Sequence, residues 1–142
     1  MFVHRLTVQL HHTDAYGILF FANQLQFCHD AFQAWLESNG EYLAPTRSEA
    51  RFVAVVVRAE ALYAAPVRLS HRLELRVEAA RVGRTAFTNQ VTIVNQHSIT
   101  VGSATITQVT IDPQTSLKMP IPAFLRTLLI ANAAPQAEIV TS

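Results

Sequence analysis

One stretch of this chain constrains its fold more than any other. Between residues 24 and 39, Leu25, Cys28, Phe32, Trp35 and Leu36 recur at helical spacing and form a wide apolar stripe. A helix over 24–39 would be about 24 Å long, with Asn23 as its N-cap, Gln26 three positions on as in a capping box, and Gly40 as its stop. A helix this apolar has to be covered by other elements. The residues after it have the period of strands. Residues 52–63 carry Val53, Val55, Val57, Ala59, Ala61 and Tyr63 on one face. Residues 72–80 set Leu73, Leu75, Val77 and Ala79 against Arg72, Glu74, Arg76 and Glu78. Residues 84–95 align Phe87, Val91 and Ile93, and 99–111 form a last long strand that Asp112-Pro113 ends. Val82-Gly83 and Asn95-Gln96-His97 read as turns. Before the helix, residues 3–10 place Leu6, Val8 and Leu10 on one strand face. The economical arrangement is α+β: an antiparallel sheet, completed by the first strand, curled around one long central helix.

The chain has 142 residues, half of them hydrophobic and 15% charged, which fits one domain with a substantial core. That domain is expected over 1–132, with a short helix at 121–132 and a frayed tail over 133–142. So much apolar content on a short chain also points to burial against a second subunit, a homodimer or homotetramer. Net charge is +1 with the basic residues scattered, so neither a nucleic-acid partner nor a polybasic membrane anchor is expected. The opening MFVHRLTVQL lacks the pattern of a signal peptide, and no apolar run reaches the roughly 20 residues that span a bilayer. A single cysteine, Cys28, excludes an intramolecular disulfide and fits a reducing compartment. The expectation is a cytoplasmic protein.

Chemistry concentrates in His11–Leu36, HHTDAYGILFFANQLQFCHDAFQAWL. Asp14 lies between strand and helix, in a loop flanked by apolar residues, with Gly17 permitting a sharp turn. A carboxylate near a helix start sits beside backbone N–H groups that have no partner in the helix. Those groups can hold a developing oxyanion while the carboxylate attacks or activates water. The ordinary role of a lone loop Asp is to cap a turn. Here the flanking residues weigh against that reading. Thr13-Asp14-Ala15-Tyr16-Gly17-Ile18-Leu19-Phe20-Phe21-Ala22-Asn23, followed by a long helix ending in Ala-Trp-Leu, resembles the 4-hydroxybenzoyl-CoA thioesterase family of hotdog proteins. Ala65-Pro66 after a long strand fits as well. Gln26-Phe27-Cys28-His29-Asp30-Ala31-Phe32 and Phe21 look like the 1,4-dihydroxy-2-naphthoyl-CoA thioesterases of phylloquinone and menaquinone synthesis.

The resemblance implies a hotdog fold and hydrolysis of an acyl-CoA, with Asp14 as nucleophile or general base and the Phe21 backbone N–H polarising the thioester carbonyl. Tyr16, Gly17, Phe20 and the Phe21 side chain would meet the acyl group. Arg81 and Arg84, flanking the Val82-Gly83 turn, would meet the phosphates of coenzyme A. No metal or cofactor is implied, since coenzyme A is part of the substrate. The active site would form between two subunits. Departures lie at Val67-Arg68-Leu69-Ser70-His71-Arg72, where the family often has Gly-Asp, and at Leu10 and Phe21, where aliphatic-acyl enzymes often have Tyr and His. An aromatic acyl group fits these departures better. Cys28 reads as a core residue. Phe27, Phe32 and Trp35 also read as core. His29 and Asp30 are adjacent on the helix and cannot share a face, though one of them can face a neighbouring subunit. Other readings are a thioesterase acting on an acyl-carrier-protein substrate or another acyl-CoA, a hydratase, whose longer polar motif is lacking, and a non-catalytic acyl-CoA binding module.

Overall fold

The computed structural model describes residues 1–141. Along the chain come β1 (Phe2–Thr7), α1 (Phe21–Ser38), β2 (Val53–Tyr63), β3 (Arg72–Val82), β4 (Ala86–Asn95), β5 (Thr100–Ile111), α2 (Ala123–Ala131) and β6 (Ala133–Ile139), with 3-10 turns at Leu10–His12 and Arg47–Glu49. The sheet runs β1-β3-β4-β5-β2 with antiparallel neighbours, and β6 pairs with β3 in parallel. It wraps α1, which is the α+β arrangement that the residue pattern predicts and the hotdog fold that the resemblance implies.

The strand alternation and the helical stripe meet as they should. Leu73, Leu75, Val77 and Ala79 of β3 and Phe87, Val91 and Ile93 of β4 are all buried. On α1 the buried positions are Gln24, Phe27, Cys28, Ala31, Phe32, Trp35 and Leu36, one face at helical spacing, with Leu25 half-buried at its margin. Two apolar clusters result. Phe27, Cys28 and Ala31 pack with Val8, Leu19, Leu73, Leu75, Val91, Ile93 and Ala104. Phe32, Trp35 and Leu36 pack with Phe52, Val82, Phe87 and with Leu125 and Leu129 of α2. Gly40 ends α1 as expected, at φ +77°. Its N–H bonds Glu37 O and the Glu41 N–H bonds Leu36 O, both at 3.0 Å, which serves two of the helix's last carbonyls.

Four expectations need correction. The helix starts at Phe21, not at 24, and its N-cap is the extended residue Phe20, which offers no side-chain cap. Asn23 does not cap it, because its amide donates instead to His12 O at 2.8 Å and ties the preceding loop to the first turn. The first strand ends at Thr7; the chain then turns at Leu10–His12, leaving Leu10 exposed rather than aligned with Leu6 and Val8. In β2 the pairing with β5 slips between Val56 and Arg58. Val57 is therefore an extra residue, and Ala59, Ala61 and Tyr63 share a face with Ala54 and Val56, not with Val53 and Val55. Finally, residues 133–139 do not fray. β1 pairs with only the Arg72–Val77 half of β3, and β6 fills the remaining edge, matching Ala133 to Ala79 and Ile139 to Val82. Asn132 Nδ2 donates to Val77 O at 3.0 Å, and the Arg126 guanidinium donates to Gly83 O and Val140 O. The domain thus extends through β6; Ser142, the end of the expected tail, lies outside the described residues.

Candidate active site

The loop between β1 and α1 is a small hairpin. Thr13 bridges to Leu19, the Asp14 N–H donates to Ile18 O at 2.9 Å, and the Gly17 N–H donates to Asp14 O at 3.0 Å. Gly17 takes φ +76°, and a Cβ there would meet nothing within 4 Å, so glycine serves the turn and not a close approach. The Tyr16 N–H donates to Asp14 Oδ1 at 2.9 Å. Among the described residues no side chain bonds the Asp14 carboxylate, which leaves its second oxygen for a reactant.

Behind this loop α1 begins. Phe20 N–H and Asn23 Nδ2 both donate to His12 O, at 2.9 and 2.8 Å, clamping loop to helix. The Phe21 and Ala22 N–H groups find no acceptor among the described residues and remain available at the positive end of the helix. Tyr63 Oη donates to Phe21 O at 2.8 Å, so β2 also holds this turn.

Loop, helix start and the end of β2 enclose a cavity of about 330 Å³, lined by Ile18, Leu19, Phe21, Gln24, Tyr63 and Ala64–Val67. Asp14 does not line it; its backbone N–H bonds the carbonyl of the lining residue Ile18. Of the residues the sequence assigns to the acyl group, the structure puts Phe21 in the wall. Tyr16 and Phe20 are exposed beside it, Tyr16 at 86%, and Phe20 stacks edge-on against Phe21 at 4.9 Å. Arg81 and Arg84 are not brought to this site within one chain. They sit at the far end of β3, about 30 Å along the strand from Arg72 at the loop end. There Arg81 pairs with Glu138 of β6 at 3.5 Å.

The remaining candidates divide cleanly. Cys28 is buried and its thiol is pushed up to about 12 by burial, which makes it an inert core side chain. His29 lines a second cavity, of about 340 Å³, with Phe32, Pro45, Phe52 and Gln108 at the opposite end of β2. Asp30 faces elsewhere and exerts its charge on His12. The imidazole of His12 packs edge-on against Phe27 at 4.8 Å and accepts the Gln9 N–H at Nδ1. Burial, then the neighbouring His11, hold its pKa below the ordinary histidine value, and Asp30 opposes them. Among the described residues no three His, Cys, Asp or Glu side chains gather as a metal site would need, and no helix is long and apolar enough to cross a membrane. Gln24, buried in the cavity wall, is the site residue that the sequence pattern does not single out.

Known proteins match this arrangement along most of its length. The family model of the thioesterase-like superfamily covers residues 8–129. A 1,4-dihydroxy-2-naphthoyl-CoA hydrolase of Rippkaea orientalis is 32% identical over 117 residues, which is 81% of this chain and 85% of that protein. The protein of the same name from Synechococcus elongatus is 30% identical over 122 residues, 85% of this chain and 89% of its own length. Among solved structures, a 1,4-dihydroxy-2-naphthoyl-CoA thioesterase from Synechocystis superposes with a TM-score of 0.85 at 25% identity, covering 91% of this chain and 95% of the other. With its wrapped helix matched from just after β1 through most of α2, this chain belongs to the thioesterase-like superfamily.

Proposed function

We propose that this chain hydrolyses an aromatic acyl-CoA thioester, with 1,4-dihydroxy-2-naphthoyl-CoA as its substrate in phylloquinone or menaquinone synthesis. The observation that carries the reading is a carboxylate in the loop that leads directly into the unbonded N–H groups of the helix start, beside an apolar cavity. The thioester carbonyl oxygen sits on the Phe21 N–H, where negative charge develops as the carbonyl carbon becomes tetrahedral. Asp14 either takes a proton from an attacking water or attacks the carbonyl carbon itself. In the first route the C–S bond breaks as the intermediate collapses, releasing coenzyme A and the free acid. In the second, the thiolate leaves first and water then cleaves the Asp14 anhydride. Both routes consume one water and need no cofactor. The apolar wall of Ile18, Leu19, Phe21 and Val67 suits a planar ring. Three relatives at 30% identity or more bear the name of this activity, which favours this acyl group over others.

The working unit is a homodimer or homotetramer in the cytoplasm. β2 is a sheet edge that exposes Val55, Val56, Val57, Leu62 and Tyr63. A second copy pairing along it would hide these side chains and bring the far end of one β2, with His29 nearby, toward the Asp14 end of the other. The phosphate-binding role of Arg81 and Arg84 belongs to the same assembly, since their own chain keeps them from its cavity.

The test follows thiol release from 1,4-dihydroxy-2-naphthoyl-CoA, benzoyl-CoA and straight-chain acyl-CoA substrates by wild type and Asp14→Ala. Fast turnover of the naphthoyl ester, reduced at least about a hundredfold in Asp14→Ala, supports the proposal. Undiminished turnover in the variant removes Asp14 from the mechanism. Turnover of a carrier-protein thioester alone would move the substrate from coenzyme A to that carrier.

A further inference from the structure

We infer that Gln24 recognises a hydroxyl group on the acyl ring and thereby sets which aromatic thioesters the enzyme accepts, a role that rests on the aromatic acyl-CoA function proposed for this cavity. Gln24 is only 2% exposed, yet it lines the cavity beside Phe21. Its Nε2 donates to Leu62 O at 2.9 Å and to Ser103 O at 3.0 Å, carbonyls of β2 and β5. Both amide hydrogens are thereby used, and these bonds decide which end of the amide is nitrogen. Oε1 receives no hydrogen bond among the described residues. No deeply buried side-chain oxygen or nitrogen among them lacks a partner, so Oε1 keeps a facet on the cavity rather than being sealed in the core. The backbone admits this placement at Gly102, where a Cβ would stand 2.8 Å from both amide ends.

The result is a fixed, largely dehydrated acceptor in a wall that is otherwise mostly apolar. Such a group is poorly served by a bare ring edge and well served by a hydroxyl donor. The other polar side chain of the wall, Tyr63, has its proton committed to Phe21 O. Along α1, Phe21 and Gln24 are separated by about 4.5 Å of rise. With the thioester carbonyl on the Phe21 N–H, a ring lying along the first turn carries a hydroxyl remote from the thioester toward Oε1.

The experiment compares kcat/KM for two thioesters that differ by one group, 1,4-dihydroxy-2-naphthoyl-CoA and 1-hydroxy-2-naphthoyl-CoA, on wild type and Gln24→Met under anaerobic conditions. Methionine keeps the length and removes the acceptor. General damage to the helix start lowers both substrates together, so the ratio is the readout. The expected wild-type preference for the dihydroxy ester is at least about tenfold, falling below about threefold in Gln24→Met. A preference that survives unchanged, or one never present in wild type, overturns the assignment. If wild type hydrolyses neither ester, the proposed hydrolase function fails separately. Calorimetric binding of the two free acids then decides Gln24 alone: preferential binding of the dihydroxy acid that Gln24→Met abolishes sustains it, and equal binding of both acids overturns it.

Discussion

Gly102→Ala isolates the contact that seats Gln24. Glycine here has no positive φ to protect, so alanine is conformationally acceptable, and in a strand it gains about 0.5–1 kcal/mol over glycine. The added methyl would instead meet Gln24 Nε2, Gln24 Oε1 and Leu62 O, each at 2.8 Å. Either the amide stays and the strand absorbs overpacking of about 1–3 kcal/mol, or the amide leaves and forfeits two hydrogen bonds worth about 1 kcal/mol each. These are alternatives, so they do not add. Net of the strand gain, the expected loss is about 1 kcal/mol, read by urea denaturation, or about 4 °C in Tm for a domain of this size. The same substitution in a Gln24→Ala background keeps only the Leu62 O contact and is expected to lose less than about half as much. A neutral Gly102→Ala, or an equal loss in both backgrounds, would refute the claim that Gln24 is held against this glycine.

Other outcomes depend on single contacts. Cys28, buried with its thiol near 12, is expected to resist a colorimetric thiol reagent at pH 8 in the native protein and to react fully in denaturant, so it adds no background to thiol-release assays. The depressed pKa of His12 gives pH a definite sign. The unfolded chain binds the proton more readily, so the stability contributed by neutral His12 is fully present above about pH 6.5 and is lost as pH falls through its lower folded value. Denaturation midpoints in His12→Gln, compared with wild type between pH 7.5 and 5, should show a shallower decline. Arg126→Ala leaves Gly83 O and Val140 O without their charged donor and should cost about 2 kcal/mol in urea unfolding, with β6 exchanging its amides faster.

The parts of this molecule that obey a single local period could be read in advance. β3 alternates without interruption, and α1 keeps its stripe from Phe27 to Leu36, so the wrap of sheet around helix was legible. What escaped depends on partners far along the chain. The bulge at Val57 exists only against β5, and the composition of β2 does not mark it. The helix start moved because Asn23, a good cap in isolation, is bound to His12 O, and Phe20 enters the helix from an extended conformation instead. Residues 133–139 carry Pro135 and a weak pattern, and become a strand because β3 has half an edge left to pair. In the site, Asp14 and Phe21 stand out through their motif. Gln24 does not, since a glutamine in a first helical turn reads as solvent-facing, and the carbonyls that bury it are 38 and 79 residues away. The separation of Arg81 and Arg84 from Asp14 follows from the length of β3, which turn composition does not reveal.

Helix α1 belongs to both apolar clusters, with three buried apolar side chains in one and three in the other. No seam therefore exists along which half the molecule could open while the other half stays closed. Loosening the sheet around Leu73 and Ile93 frees Phe27 and Ala31, and α1 transmits the loss to Trp35 and Leu36 within two turns. Amide exchange across β3, β4 and the middle of α1 should consequently report one common opening free energy, equal to that of global unfolding, with only the Asp14 loop and the helix ends exchanging by smaller fluctuations. The loop proposed to do the chemistry is then the loose rim of a body that otherwise opens all at once.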